Sequence, residues 1–91
     1  MAFTDDNRGL AVFDGGGQTL SGKFKLKKVA WESGSTAGND LVLTDSTSID
    51  LGTLKSESAN EYIHIAHLQD RWVEDFTVTT IDGGKLYVQY E

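Results

Sequence analysis

Apolar and polar residues alternate over short stretches of the chain. Residues 23–26 (KFKL) alternate strictly, which predicts a β-strand with one buried face. After two further lysines, Val29 and Trp31 resume the alternation on the opposite parity. A change of parity within a strand predicts a β-bulge, because one extra residue turns all later side chains to the other face. Trp31 shares the parity of Val29, and we therefore expect it in the core.

Further strands are predicted where apolar and β-branched residues lie between segments rich in Gly, Ser, Asn and Asp. They cover residues 10–13, 41–44, 49–54, 61–68, 76–81 and 86–90, and Trp72 and Val73 add to the fifth of these. The Asp82-Gly83-Gly84 segment is the strongest turn signal and predicts a C-terminal hairpin between its flanking strands. The pattern as a whole predicts an all-β fold, a small antiparallel β-sandwich or barrel of six to seven short strands.

The first 22 residues differ in composition from the rest of the chain. They hold five of the ten glycines, including the Gly15-Gly16-Gly17 run. We interpret residues 1–22 as a Gly-rich N-terminal arm and residues 23–91 as a single β domain. Two accounts of the arm stay open, a flexible terminus or a segment that packs on a neighbouring subunit.

Composition and charge narrow the classes of partner. The 91 residues suffice for one domain, and the absence of cysteine excludes disulfides, thiol nucleophiles and cysteine-ligated metals. Fourteen acids against eight bases give a net charge of −6, which disfavours nucleic acid and anionic membranes as partners. No apolar run is long enough to span a bilayer, and the first residues lack the features of a secretory signal. We therefore expect synthesis in the cytosol.

The sequence lacks the spacings that catalytic, phosphate-binding or metal sites require. His64 and His67 are three residues apart in a predicted strand, so they face opposite ways and make a poor metal pair. The Gly15–Gly17 run lacks the following helix and Lys-Ser/Thr pair of a phosphate loop. The acids lack the EF-hand spacing, and only a calcium site assembled from separate loops stays open. We expect no catalytic residue, no cofactor and no metal, in a protein that is not an enzyme.

Basic and acidic residues are segregated along the chain. Residues 23–31 contain Lys23, Lys25, Lys27 and Lys28 and no acid, whereas residues 40–82 contain nine acids and two bases, a net charge of −7. Lysines on an exposed edge strand deter unwanted strand pairing, which is one explanation. The other is a docking stripe for an acidic surface, such as the acidic part of a second copy, in a ring or lattice.

Three aromatic residues join the four lysines as interface candidates. Trp72 lies beside a polar turn, which predicts partial exposure, while Tyr87 and Tyr90 fall on opposite faces of the last predicted strand. Exposed Trp and Tyr side chains stack on sugar rings or anchor protein interfaces. The alternative to a role in an interface is that each of these aromatic side chains is buried in the core, as is usual in a small β domain.

Three stretches make the chain similar to a known group of proteins, residues 25–31 (KLKKVAW), 35–45 (STAGNDLVLTD) and 76–88 (FTVTTIDGGKLYV). Over residues 23–90 the chain resembles small β-rich structural proteins encoded among the virion genes of tailed bacteriophages. The resemblance implies a structural part of a phage particle, either a capsid decoration or cement protein or a small ring or fibre at a vertex or tail. Such a protein binds the major capsid protein, another virion protein or its own copies. It also implies a homo-oligomer in the virion, made in the host cytoplasm. The Gly-rich start has no counterpart in that group.

A second function remains open from the sequence. A carbohydrate-binding adhesion module on a vertex, fibre or tail would use Trp72 with Tyr87 or Tyr90 as stacking residues. Neither function involves nucleic acid or a membrane as a partner.

Overall fold

The protein folds into one antiparallel β-sheet of eight strands. The computed structural model describes residues 3–5, 8–46 and 50–91. Within them, one 3-10 helix, Ala66–Leu68, accompanies the strands, and the sheet is not closed into a barrel. The strands are β1 Phe3–Asp5, β2 Leu10–Phe13, β3 Gln18–Glu32, β4 Asp40–Thr44, β5 Asp50–Lys55, β6 Tyr62–His64, β7 Arg71–Ile81 and β8 Lys85–Tyr90. Their order in the sheet is β1-β2-β8-β3-β7-β4-β5, and β6 pairs with β3.

The all-β antiparallel prediction is confirmed, with eight strands in place of six or seven. The strand predicted over residues 10–13 is β2, and the added strand is the three-residue β1, which pairs with β2. β3 begins at Gln18, so the boundary placed between residues 22 and 23 falls inside a strand. Residue 49, the first of another predicted strand, lies outside the described residues.

β3 links the two halves of the sheet because it changes partner along its length. Gln18–Leu26 pairs with β7, whereas Leu26–Glu32 pairs with β8, and Leu26 itself lies opposite both Arg71 and Tyr90. The first half of the sheet therefore contains β1, β2, β8, the later part of β3 and β6. The second half contains the earlier part of β3, β7, β4 and β5.

The bulge predicted at the two lysines is present where β3 changes partner. The register of β3 against β8 shifts between Leu26 and Lys28. Phe24 and Leu26 are buried before the shift, and Val29 and Trp31 are buried after it. The change of parity in the sequence thus corresponds to one inserted residue, Lys27, and the core position predicted for Trp31 is confirmed.

The two halves of the sheet enclose a single hydrophobic core. Phe13 in β2 and Phe76 in β7 belong to strands that are not neighbours, yet their ring centroids lie 6.0 Å apart in an edge-on arrangement. Their contact therefore crosses the core rather than running along the sheet. The largest fully buried side chains are those of Trp31, Phe13, Phe76, Leu26, Leu41, Leu43, Leu68 and Leu86.

The prediction of a C-terminal hairpin is wrong, because the two strands that flank the turn do not pair with each other. The turn between β7 and β8 is present at residues 82–84, but the two strands, both fully described, do not pair with each other. Each pairs with β3, which lies between them. The turn instead crosses the end of β3, where the Trp31 Nε1 donates a hydrogen bond of 3.1 Å to the Gly83 carbonyl oxygen. It is a connection between the two halves of the sheet.

The strand predicted over residues 61–68 is also shorter than expected. β6 ends at His64, and the backbone turns at Ile65 into the 3-10 helix, which buries Leu68 in the core. His67 therefore lies on the helix and not on the strand. Its Nε2 hydrogen-bonds the Leu51 carbonyl oxygen of β5 at 2.6 Å.

Candidate functional site

The four lysines of the predicted docking stripe lie on different surfaces. Lys23 and Lys25 alternate with the buried Phe24 and Leu26, so they face outward from the second half of the sheet. Their cross-strand partners in β7 are Glu74 and Trp72, respectively. In the described part of the sheet, Gln18–Phe24 pairs only with β7, so its other side is an open edge of the sheet. Lysines on such an edge deter pairing with another strand, and this explanation fits the segment.

Lys27 occupies the bulge and forms a local ion pair. Its Nζ lies 3.2 Å from Asp70 Oδ1, with both side chains about half exposed. The hydrogen bond and charge of Asp70, followed by the charge of Glu91, raise the pKa of Lys27 above its usual 10.5. The Lys27 ammonium is thus already paired with an acid of its own chain, Asp70.

Lys28 faces outward from the first half of the sheet, opposite Gln89 of β8. It lines a groove of about 220 Å³ together with Leu10, Ala30, Tyr62, Tyr87 and Gln89. The segment that follows Lys28 is flanked by β8 on one side and β6 on the other. Edge protection therefore does not explain this lysine.

The three aromatic candidates are also separated by the fold. Trp72 is 66% exposed on the second half of the sheet, as the sequence predicts, and lines a groove of about 210 Å³. Tyr87 faces outward from the first half, between Val12 and Ala30 on the adjacent strands. Trp72 and Tyr87 therefore belong to two different surfaces.

The Tyr90 side chain faces the core, whereas Tyr87 faces outward. The prediction that the two tyrosines lie on opposite faces of the last strand is therefore confirmed. The Tyr90 ring packs against the core with its centroid 5.0 Å from that of Phe24. Its hydroxyl donates a hydrogen bond to an Asp5 carboxylate oxygen in β1. This contact ties the last strand to the first one, so Tyr90 offers little surface to a partner.

Tyr62 is a surface residue that the sequence did not single out. It is 61% exposed on β6 and borders the same groove as Tyr87. The signal was present in the alternation of residues 61–66, where Ile63 and Ile65 take the inward positions and leave Tyr62 outside. Leu10, at the start of β2, adds a second exposed apolar side chain to this face, beside the half-buried Tyr87.

Acidic residues gather at the end of the sheet where β7 finishes. The loops 33–39, 56–61 and 82–84 meet there, held by bonds such as Ser33 N–H to the Glu61 carbonyl and Asn39 Nδ2 to the Ser33 carbonyl. The Asp82 carboxylate accepts the Asp40 N–H at 3.0 Å, and Lys55 pairs with Asp40 at 2.8 Å. The acids of this end are Glu32, Asp40, Glu57, Glu61 and Asp82.

The described residues contain no group of three or more His, Asp or Glu side chains placed to hold a metal ion. Nor do they contain a buried side-chain nitrogen or oxygen without a hydrogen-bond partner. Within the same ranges no helix is long and apolar enough to cross a membrane. What the described residues do offer is two exposed faces, one around Trp72 and one around Tyr62 and Tyr87.

Comparisons with protein-family models, with curated proteins and with solved structures found no match for this chain.

Proposed function

We propose that the protein is a non-enzymatic structural component of a bacteriophage particle, a decoration or cement protein that binds the major capsid protein or its own copies. The observation that supports this most is the exposure of Trp72, which keeps 66% of its surface in water although the core has taken up the other tryptophan. Trp, Tyr and Arg are the side chains that most often anchor protein interfaces.

The surroundings of Trp72 suit an anchoring residue. It lies on β7, directly beside the buried Val73 and opposite Lys25 of β3, so the pairing with β3 fixes its backbone on one side. A side chain held on a sheet loses little conformational freedom when a partner covers it. Charges of both signs surround it, because Lys25 lies opposite Trp72 and exchanges backbone hydrogen bonds with Glu91. Such charges at the rim of an interface steer a partner into register.

The experiment is to purify particles of the phage that encodes the chain and to quantify their proteins by mass spectrometry. We expect the chain in a fixed ratio to the major capsid protein after washing. A chain that is abundant in infected cells but lost from washed particles contradicts the proposal.

A rebinding assay tests the surface. Particles stripped of the chain are incubated with the purified protein or with the Trp72→Ser variant, and we expect the variant to rebind about tenfold or more weakly. Tyr87→Ser is the matched control, because it removes an aromatic side chain from the other half of the sheet. Equal rebinding by all three proteins would show that Trp72 does not lie in the interface with the particle.

A carbohydrate-binding module is the second candidate, and the groove on the first half of the sheet is the observation that favours it. Tyr62 and Tyr87 border this groove with the amide of Gln89 and the ammonium of Lys28. Aromatic faces with amide and ammonium donors suit a sugar ring. The stacking pair is then Tyr62 with Tyr87, because Trp72 lies on the other half and Tyr90 packs against the core.

Screening on a glycan array tests this candidate. A binding function predicts hits that Tyr62→Ala abolishes and Trp72→Ala leaves unchanged. An array without hits at high protein concentration counts against it.

A further inference from the structure

Ala30 forms the floor of the groove on the first half of the sheet. It alternates with Val29 and Trp31, which belong to the core, so its own side chain points outward. It is nevertheless only 1% exposed, because larger side chains of the neighbouring strands surround it. Alanine is depleted in strands, where larger side chains pack better. Its methyl group at this central position leaves a depression in the outer face of the sheet.

Two tyrosines border this floor from opposite sides. Tyr87 lies on β8 directly opposite Ala30, and Tyr62 lies on β6, opposite a position two residues further along β3. Because β8 and β6 flank this part of β3, one ring stands on each side of the groove. The groove volume of about 220 Å³ is below the roughly 300–1,000 Å³ of pockets that enclose a whole drug-sized ligand. The groove therefore accommodates one small ring of a larger ligand.

The polar groups around the floor have no partner within the described part of the protein. No hydrogen bond is made there by the hydroxyl of Tyr62, the hydroxyl of Tyr87 or the side-chain amide of Gln89. The Tyr90 hydroxyl, by contrast, is bound to Asp5. Phenol and amide groups can both donate and accept hydrogen bonds. A ligand in the groove can therefore bind all three groups without displacing a contact of the fold.

Lys28 gives the groove a positive charge. It is the one charged side chain among the described residues that line the groove, and no acid of those residues forms an ion pair with it. Lys27, by contrast, is paired with Asp70. The chain as a whole carries −6, but exposed charges more than about 8 Å away are largely screened at physiological salt. The groove therefore favours a ligand that brings a negative charge of its own.

Acids near the groove do not cancel this charge. Glu32, on β3, has Lys85 of β8 as its cross-strand neighbour. Glu91, at the end of the chain, exchanges backbone hydrogen bonds with Lys25. The Glu61 carboxylate accepts two backbone N–H groups of its own loop, so it is directed away from the groove. Each of these acids thus has a lysine or a backbone donor beside it.

From these features we propose that the groove binds a sugar ring that carries a carboxylate, as in a uronic acid unit of a polysaccharide. The apolar face of the ring packs on the tyrosine rings above Ala30, and its hydroxyl groups bond the phenols and the Gln89 amide. The carboxylate accepts a charge-assisted hydrogen bond from the Lys28 ammonium. This inference rests on the second candidate function, carbohydrate binding, and adds to it the class of sugar.

A peptide rich in proline is another ligand that packs in grooves lined by aromatic side chains. Its prolines offer carbonyl oxygens and no charge, so it would use the tyrosines and Gln89 but leave Lys28 unpaired. The charge of Lys28 therefore favours the acidic sugar. The peptide enters the test as the competing ligand.

The test is an NMR titration of the isotope-labelled chain with two matched pairs of sugars, methyl glucuronide with methyl glucoside and methyl galacturonide with methyl galactoside. Within a pair a carboxylate replaces a hydroxymethyl group, and added sodium chloride equalises the ionic strength. We expect at least one acidic sugar to shift the amide signals of residues 28–30, 62 and 87–89. Its Kd should be about tenfold or more below that of its neutral counterpart, because a hydrogen bond between charged groups is the stronger one.

Three variants separate the charge of the groove from its shape, and their spectra show whether each one folds. Lys28→Gln keeps a polar side chain but removes the charge, so we expect the acidic sugar to bind as weakly as the neutral one. Ala30→Leu fills the floor from outside the core, so we expect both sugars to lose most of their affinity. Lys85→Gln is the matched control, because it removes the same charge from the same face but outside the groove lining. We expect it to keep the preference for the acidic sugar.

Three results would overturn the inference while the chain still binds sugar, so they would leave the second candidate function standing. The first is equal binding of the acidic and neutral sugars. The second is a preference for the acidic sugar that survives in Lys28→Gln. The third is a loss of preference in Lys85→Gln as large as that in Lys28→Gln.

Amide signals that none of the four sugars shifts at about 50 mM would also overturn it. An oligoproline peptide that shifts the same signals instead would assign the groove to a peptide. The glycan array then decides the fate of carbohydrate binding, since hits on neutral glycans alone would keep that function and an empty array would remove it. Trp72 does not line this groove, so the proposed decoration function is unaffected by any of these outcomes.

Discussion

Gly84 lies where the connection between β7 and β8 touches the end of β3. Its φ is +76°, in the left-handed region that favours glycine. A Cβ at this position would collide with the Glu32 carbonyl oxygen and approach the Gly34 nitrogen at 2.7 Å. The absence of a side chain at Gly84 therefore allows the turn to lie flat on β3.

We predict that Gly84→Ala destabilises the protein much more than Gly17→Ala. Gly17 has the same φ of +76°, but a Cβ there meets nothing within 4 Å. The Gly17 variant should lose about 1 kcal/mol from the free energy of unfolding, the ordinary cost of a left-handed alanine. The Gly84 variant should lose about 3 kcal/mol or more, because backbone must also move. Urea unfolding measures both, and equal losses would contradict the close approach.

Lys27 and Asp70 give a second prediction at this scale. The pKa of Lys27 is raised by its hydrogen bond to Asp70, so this pair stabilises the fold at pH values below 10.5 and ceases to do so as pH rises through the folded pKa. Asp70 has a φ of +62°, which asparagine tolerates well. Asp70→Asn should therefore lower the pKa of Lys27 without disturbing the backbone.

Carbon-detected NMR titration of the lysine side chains measures this effect. Lys55, whose pKa is raised by Asp40, should be unaffected by the substitution and serves as the internal control. A Lys27 midpoint that stays in place in Asp70→Asn would show that the pair does not persist in solution.

At the scale of the strand, the pairing of β3 with β7 depends on a second irregularity. Gly22 donates its N–H to Asp75 Oδ1 at 2.9 Å, and Asp75 itself has a φ of +52° within β7. One acidic side chain thus bridges the irregular positions of two paired strands. The contact keeps the register between Leu20 and Phe76 on one side and Lys23 and Glu74 on the other.

We predict that Asp75→Ala destabilises the protein by about 1–3 kcal/mol, because it removes this hydrogen bond and leaves an alanine in the left-handed region. Asp75→Asn keeps an acceptor oxygen and tolerates the same φ, so it should cost less than about 1 kcal/mol. Thermal and urea unfolding give both values. Equal losses in the two variants would mean that the side-chain bond does not hold the register.

The strands themselves were largely predictable from local pattern, but their order was not. The change of parity at Lys27 predicted the bulge in β3, since alternation is a local property that burial imposes directly. The glycines at residues 83 and 84 predicted a turn, yet turn residues report only backbone angles at their own positions. That β3 lies between β7 and β8 depends on contacts between distant residues, which no local pattern records.

The candidate site was predictable to a similar extent. The exposure of Trp72 followed from the polar turn beside it. The four lysines could be placed on one strand, but their separation depends on which strand flanks each part of β3. The hydrogen bond of Tyr90 to Asp5 joins residues 85 positions apart, so only the folded chain shows that Tyr90 is a structural residue.

At the scale of the whole molecule, the first 22 residues contribute to the same core as the rest. Ala11, Phe13 and Leu20 are buried, and β2 pairs with β8 along its full length. We predict that a fragment of residues 23–91 loses cooperative unfolding, because it lacks these side chains and exposes the edge of β8. Urea unfolding and the dispersion of amide NMR signals measure this. A fragment with a cooperative transition near that of the full chain would show that the β domain is complete without the arm.

The position of β8 also has a consequence for protein synthesis. β8 follows the other strands of this sheet in sequence and leaves the ribosome after them, yet it lies between β2 and β3, which are made far earlier. Until residues 85–90 emerge, β2 has no neighbour on that side and Val29 and Trp31 lack part of their cover. Pairings this distant form slowly. The sheet therefore cannot be completed before residues 85–90 have left the ribosome, and until then the nascent chain exposes the edge of β2.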